Sequence, residues 1–366
     1  MKGVAIYPRS WSTSACRMSR QSTSQPALWS VNPGRARRSV FFSKEFISAP
    51  HVVIGASRRQ YALPATSFNL STHYLFSEAL TRTGAQSKFK ILRKFCNLPF
   101  THLESVGFWN LGTTTLRSAI ALRRLFSLPT LCRVTLNSSF FDPAAFQALW
   151  GTCSPHIKHL RLGCYSPVGR SFLRPNTGPV ALSSLKLESS NDVAEWLNHD
   201  FCPFDFSQLA ALSVTAHHTL VVGQPRMRAA HRTIEVLEFD IGVLFDGTCI
   251  DLSQFSNLQF LRINIYAFQQ AMTIALDTLA TITSSSPIRR IVLSILPAYN
   301  VEADMCDLLD SKVAGLPLQH LSAVELETNI EYYNRLASYF PRLRSQNLLS
   351  GPTDPGWFER HSSRFR

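Results

Sequence analysis

No acidic residue occurs before Glu45. The same stretch holds Lys2, Arg9, Arg17, Arg20, Arg35, Arg37, Arg38 and Lys44 among many serines. Aliphatic residues there are sparse and follow no period, which predicts a disordered basic arm over 1–45. Two other readings stay open: a mitochondrial transit segment, or a stretch foreign to the natural fold, as a mis-assigned gene start would give. The Arg35, Arg37, Arg38 cluster is a weak match to a nuclear signal. No apolar run is long enough to span a bilayer, and no secretory h-region is recognisable. The expectation is a cytoplasmic or nuclear chain, with a mitochondrial alternative and no membrane partner.

Other absences narrow the chemistry. The eight cysteines, at positions 16, 96, 132, 153, 164, 202, 249 and 306, form no C-x-x-C pair. That spacing argues against zinc. Outside a secretory setting it also argues against a disulfide framework, so free buried thiols are expected. Phosphate loops, dinucleotide fingerprints, nucleophile elbows and paired-histidine zinc motifs are missing. The sequence therefore predicts no enzyme, no catalytic residue, no cofactor and no metal. Asp304, Asp307 and Asp310 recur every three residues behind Glu302. They read as a solvated helix face, because hard cations need six or more oxygens from a shaped site. His217 and His218 read as a loop pair.

The charge is unevenly placed. Of 37 Lys and Arg and 24 Asp and Glu, residues 1–99 hold fifteen of the former and only Glu45 and Glu78 of the latter. The formal charge of +13 thus belongs to that segment, and residues 100–366 are neutral. A neutral region has no net-charge reason to bind nucleic acid.

What is present is a repeat. The pattern apolar-x-x-apolar-x-apolar opens at Leu103, Leu131, Ile157, Leu182, Leu209, Ile234, Leu258, Ile288 and Leu321, at intervals of 24 to 33 residues. Each triplet predicts a short strand whose second and third apolar residues share one face. Segments with apolar residues three and four apart lie between them at 115–126, 143–150, 191–197, 268–283, 301–313 and 329–340, and predict amphipathic helices. In the first, Leu116, Ile120 and Leu125 form the expected apolar face. Pro129, Pro155, Pro287 and Pro341 are placed to end a helix just before the next strand. The period is that of leucine-rich repeats. The predicted fold is α/β: a leucine-rich-repeat-like solenoid over 100–350, with a curved parallel sheet and helices on its convex side. A cap or degenerate repeat at 46–99 precedes it and a tail at 351–366 follows. Within 46–99, residues 52–54 suggest a strand and 87–95 a short basic helix. The asparagine expected eight residues after each opener occurs only at Asn329, so turn-closing bonds must come from elsewhere and the arc is expected to be uneven.

Such a solenoid nominates its concave sheet as a protein-binding face. The candidate contact residues are Trp109, Arg133, His159, Arg161, Lys186, Glu238, Asp240, Phe260, Arg262, Arg290 and Glu325. Arginine and aromatic side chains are the types that dominate binding hot spots.

The phrases LPTLCRVTL at 128–136, CSPHIKHLRL at 153–162 and SPIRRIVL at 286–293 resemble the F-box/leucine-rich-repeat proteins, especially the large fungal set. The resemblance covers about residues 100–350. It implies repeats that recruit a substrate, and an N-terminal F-box that docks on a Skp-type adaptor of a cullin ubiquitin ligase. The nearest F-box phrase, Leu63-Pro64-Ala65-Thr66, has no acidic residue and little helical spacing after it, so the F-box reads as absent or degraded. The alternative function is a mitochondrial or nuclear scaffold built on the same repeats.

Overall fold

The computed structural model describes residues 39–40, 67–71, 92–94, 96–98, 100–141, 143–165, 178–188, 191–200, 202–214, 222–241, 249–266, 269–296, 302–328 and 330–351. All lie in the larger of the chain's two units, Arg38–Arg366. Most of the basic arm, residues 52–54, the 63–66 phrase, His217, His218 and Asn329 fall outside the described residues.

The strands, in chain order, are β1 (Ser39–Val40), β2 (Ser67–Ser71), β3 (Ser105–Thr114), β4 (Arg133–Phe141), β5 (His159–Tyr165), β6 (Val180–Ala181), β7 (Ser184–Leu187), β8 (Phe204–Asp205), β9 (Ala211–Val214), β10 (Val236–Ile241), β11 (Phe260–Tyr266), β12 (Arg290–Leu296), β13 (Ala323–Glu327) and β14 (Leu349–Ser350). Among the described residues, all but β6 and β8 form one parallel sheet of twelve strands arranged in chain order. β6 and β8 pair separately. Among the described residues, no strand of the twelve reverses or is inserted out of turn, so each unit is laid beside the one before it. The chain is an α/β protein with a large parallel sheet.

Nine of these strands come from the nine triplets, and each begins two residues after its opening apolar residue. Eight openers are fully buried and Leu321 is half-buried. The second triplet residues stand in register across the sheet as Val106, Val134, Leu160, Leu185, Leu212, Leu237, Leu261, Ile291 and Val324. The third residues form a parallel row two positions on, from Phe108 to Leu326, and both rows belong to one core.

The helices are α1 (Leu116–Phe126), α2 (Pro143–Trp150), α3 (Asn191–Asn198), α4 (Pro225–Arg228), α5 (Gln269–Ala280), α6 (Ala303–Ala314), α7 (Ile330–Ser338) and α8 (Pro341–Ser345). Their buried residues, such as Leu122, Leu149, Trp196, Leu279, Leu309 and Leu336, join the same core, so these helices pack against the triplet side of the sheet. The rings of Phe126, Trp150, Phe146, Trp196 and Phe204 touch in a chain, with centroids 4.7 to 6.1 Å apart. They link the first, second and fourth units.

Three expectations need correction. α1 buries Ala119, Leu122, Leu125 and Phe126, and leaves Leu116 43% and Ile120 53% exposed. Pro341 does not precede a strand but opens α8 at its first position, where its missing amide costs nothing. Asp310 is not solvated: it is fully buried, and its carboxylate accepts the amides of Arg342 and Leu343 at the start of α8. Asp304 and Asp307 are exposed, as expected.

Backbone bonds join the starts of successive strands. At each of the eight junctions between the nine units, the carbonyl one residue after the opener accepts two amides from the next unit. Glu104 O receives Cys132 N and Arg133 N, Cys132 O receives Lys158 N and His159 N, and so on to Arg289 O with Ser322 N and Ala323 N. All sixteen distances lie between 2.8 and 3.4 Å. Side chains reinforce several joints. Thr130 Oγ1 donates to Leu103 O at 2.9 Å, Thr233 Oγ1 to Leu209 O at 2.9 Å, and Ser322 Oγ to Arg289 O at 2.8 Å.

Candidate binding face

Because side chains alternate along a strand, the residues between the core rows point to the side of the sheet away from the helices. The register sets them in rows. One runs Arg133, His159, Ser184, Ala211, Val236, Phe260, Arg290, Ala323; the next runs Thr135, Arg161, Lys186, Ser213, Glu238, Arg262, Val292, Glu325. A third carries Asp240, Asn264, Ser294 and Glu327 on β10 to β13. Ten of the eleven sequence-predicted residues lie on these strands and on this side. Trp109 holds the matching place on β3, level with Asn137.

The charged members bond chiefly to one another. Arg161 grips Glu188, the residue after β7, with two bonds: Nε to Oε2 at 3.0 Å and Nη2 to Oε1 at 2.7 Å. Lys186 Nζ stands 3.9 Å from Glu188 Oε1 and 4.0 Å from Glu238 Oε2. Arg262 lies 3.8 Å from Glu238 Oε1, donates to Asn264 Oδ1 at 3.1 Å, and pairs with Glu327. Arg290 Nε reaches Glu325 Oε1 at 3.1 Å. His159 Nδ1 and Ser184 Oγ are 2.9 Å apart.

Two of these pairs skip a strand. Lys186 on β7 reaches Glu238 on β10 across Ser213 of β9, and Arg262 on β11 reaches Glu327 on β13 across Val292 and Ser294 of β12. Adjacent strands are about 4.8 Å apart, so the long side chains must lie flat over the small residues between them. Ser213, Val292 and Ser294 are accordingly buried, although they sit on the side without helices. Ala211, Val236 and Val292, with Phe260 against them, form a small apolar patch under the charges.

Burial is graded. Glu238 is 6% and Arg262 9% exposed, and His159 is buried too. Arg133, Arg161, Lys186, Asp240, Phe260, Arg290 and Glu325 are half-buried. Burial pushes the Asp240 carboxyl up to about 6; Asn264 opposes this by donating to it, Glu238 adds to it, and Lys186 and Arg262 oppose it. Burial also raises Glu327, against the pull of Arg262.

Sequence reasoning passed over Asn264, Val292 and Ser294. Asn264 Nδ2 donates to Asp240 Oδ1 at 2.5 Å and lies 3.5 Å from Glu238 Oε1, so it ties two carboxylates to Arg262. Its signal was present as continued alternation, 260-262-264, beyond the triplet. Val292 was hidden because it sits among apolar neighbours and reads as core.

Among the described residues, no three His, Cys, Asp or Glu side chains gather as a metal ion would need. No helix among them is long and apolar enough to cross a membrane. No protein-family model matches this chain, and comparison with curated proteins finds no match either.

Proposed function

We propose that the chain is a leucine-rich-repeat-type solenoid that binds a protein partner on the charged side of its sheet. The observation that carries this reading is the charged array supplied by β4, β5, β7 and β10 to β13, bridged over Ser213 of β9 by the approach of Lys186 to Glu238. An extended partner laid across the strands would touch several units at once. The half-buried residues Arg133, Arg161, Phe260 and Arg290 are the anchors, since partly desolvated arginine and aromatic groups give the most binding energy. Arg262 and His159, being buried, serve to hold the array in place. The resemblance to F-box/leucine-rich-repeat proteins makes a substrate-recognition subunit the finer reading, with a Skp-type adaptor and cullin as further partners if an F-box is supplied.

Affinity capture of the tagged chain from its native cells tests both levels. A partner lost from Arg161→Ala and Arg290→Ala variants but kept by Asp304→Ala and Asp307→Ala supports the charged side. Adaptor and cullin in the eluate support the ligase reading. A partner that survives the arginine changes and is lost with the helix-side changes overturns the choice of surface.

A further inference from the structure

Glu238 is the most deeply set carboxylate on the charged side of the sheet, yet its Oε2 receives no hydrogen bond. Lys186 Nζ stands 4.0 Å from that oxygen, beyond hydrogen-bond distance, and 3.9 Å from Glu188 Oε1. A buried carboxylate oxygen without a donor is costly and rare. Two residues on, along the same strand and on the same side, Asp240 is only half-buried and gives a way in from solvent. The surrounding strands are short of positive charge. From β10 to β13, Glu238, Asp240, Glu325 and Glu327 face Arg262 and Arg290. From β4 to β7 the balance is reversed, with Arg133, Arg161 and Lys186 against Glu188.

We propose that Glu238 and Asp240 together form a seat for an arginine side chain of the protein partner, a proposal that rests on reading this side of the sheet as protein-binding. A guanidinium suits the place because its planar fork can donate to two carboxylates at once. It would enter beside Asp240 and supply the donor that Glu238 Oε2 lacks, while Lys186 closes on Glu188. The upward shift of Asp240 agrees with this, since an added cation would favour its ionised form.

The test uses the full chain and two fluorescein-labelled hexapeptides, alternating Gly and Arg in one and Gly and citrulline in the other. Citrulline keeps the shape and removes the charge. Residues 100–366 carry no net charge, so long-range attraction of the arginine peptide to the repeats is small. Fluorescence anisotropy at pH 7.5 is expected to show at least tenfold tighter binding of the arginine peptide. Asp240→Asn and Glu238→Gln should each erase most of that preference. Binding should also weaken as the pH falls towards 5 and Asp240 takes up its proton. Asp240→Asn removes a buried charge, so a lost signal there does not reflect unfolding, and the thermal midpoint verifies it. Equal binding of both peptides, no binding, or full binding by both variants would overturn the proposal. If that happens while a captured partner still depends on Arg161 and Arg290, the arginine seat falls and the protein-binding reading stands.

Discussion

Asp310, on α6, caps Leu343 of α8: its Oδ1 accepts the Leu343 amide at 3.0 Å, and its Oδ2 accepts Arg342 N at 2.8 Å. A five-residue helix cannot hold itself together by its own bonds. Its place at the end of the repeat is therefore fixed by one buried carboxylate from the preceding unit.

Asp310→Ala leaves two amides without their acceptor and removes the cap. A loss of about 2 kcal/mol is expected, read from the urea unfolding midpoint. Hydrogen exchange should rise first in α8 and β14. Unchanged protection there would show that packing of Leu343 alone places α8.

Arg226 gathers backbone carbonyls. Its Nη1 donates to His199 O at 2.6 Å and Leu197 O at 3.3 Å, and its Nη2 to Phe204 O at 2.8 Å and Cys202 O at 3.5 Å. Arg226→Lys keeps the charge but not the flat fork, so about 2 kcal/mol should still be lost. Thermal unfolding of the lysine and alanine variants separates the two contributions. A lysine variant as stable as the parent would show that charge alone suffices.

Leu237 lies between Leu212 and Leu261 in the core row, fully buried. Leu237→Asp should cost several kcal/mol, on the order of 4, by burying an unpaired charge. Soluble expression and circular dichroism would reveal it. A folded, stable variant would contradict the central place given to this row.

Burial pushes the thiols of Cys96, Cys153 and Cys306 up to about 12 and that of Cys202 to about 11. Among the cysteines in described residues, Cys249 is exposed. Native labelling with a disulfide reagent at pH 8 should therefore modify Cys249 quickly and these four only on unfolding. Mass spectrometry of timed samples identifies the sites, and early modification of Cys153 would contradict the packing.

Asp240 couples the charged array to pH. Its carboxyl is raised from 3.8 to about 6 by folding. The folded state thus binds the proton more tightly than the unfolded state. The favourable contribution is fully present below about pH 4 and is lost as the pH rises through 6. Asp240→Asn should therefore stabilise the chain by about 2 kcal/mol above pH 7, with the difference vanishing towards pH 4. Denaturation curves at pH 4, 6 and 8 measure it. A constant difference across that range would mean that Asp240 titrates normally.

The strand positions were legible because each opener must be buried and the two apolar residues that follow must share a face. That constraint is local, and the nine strands begin where it puts them. The buried side of α1 was not legible. Leu116 and Ile120 offer one apolar stripe and Ala119, Leu122 and Phe126 another, and only contact with the sheet and α2 selects between them. Asp310 looked like one more solvated acid because its partners lie more than thirty residues away. The strand-skipping pairs were hidden for a related reason: they need a small residue on the strand between, and that depends on register between units.

The paired amides at each junction bear on how such a chain can change over time. The acceptor at each joint is a main-chain carbonyl, so the side chain at the accepting position is free to differ. From unit to unit that position is Glu104, Cys132, Lys158, Ser183, Ala210, Glu235, Gln259 and Arg289. Acid, base, thiol, hydroxyl, amide and methyl all serve. A protein assembled through such joints can drift far in its letters while its architecture persists, and ancestry then survives in geometry after it has faded from spelling.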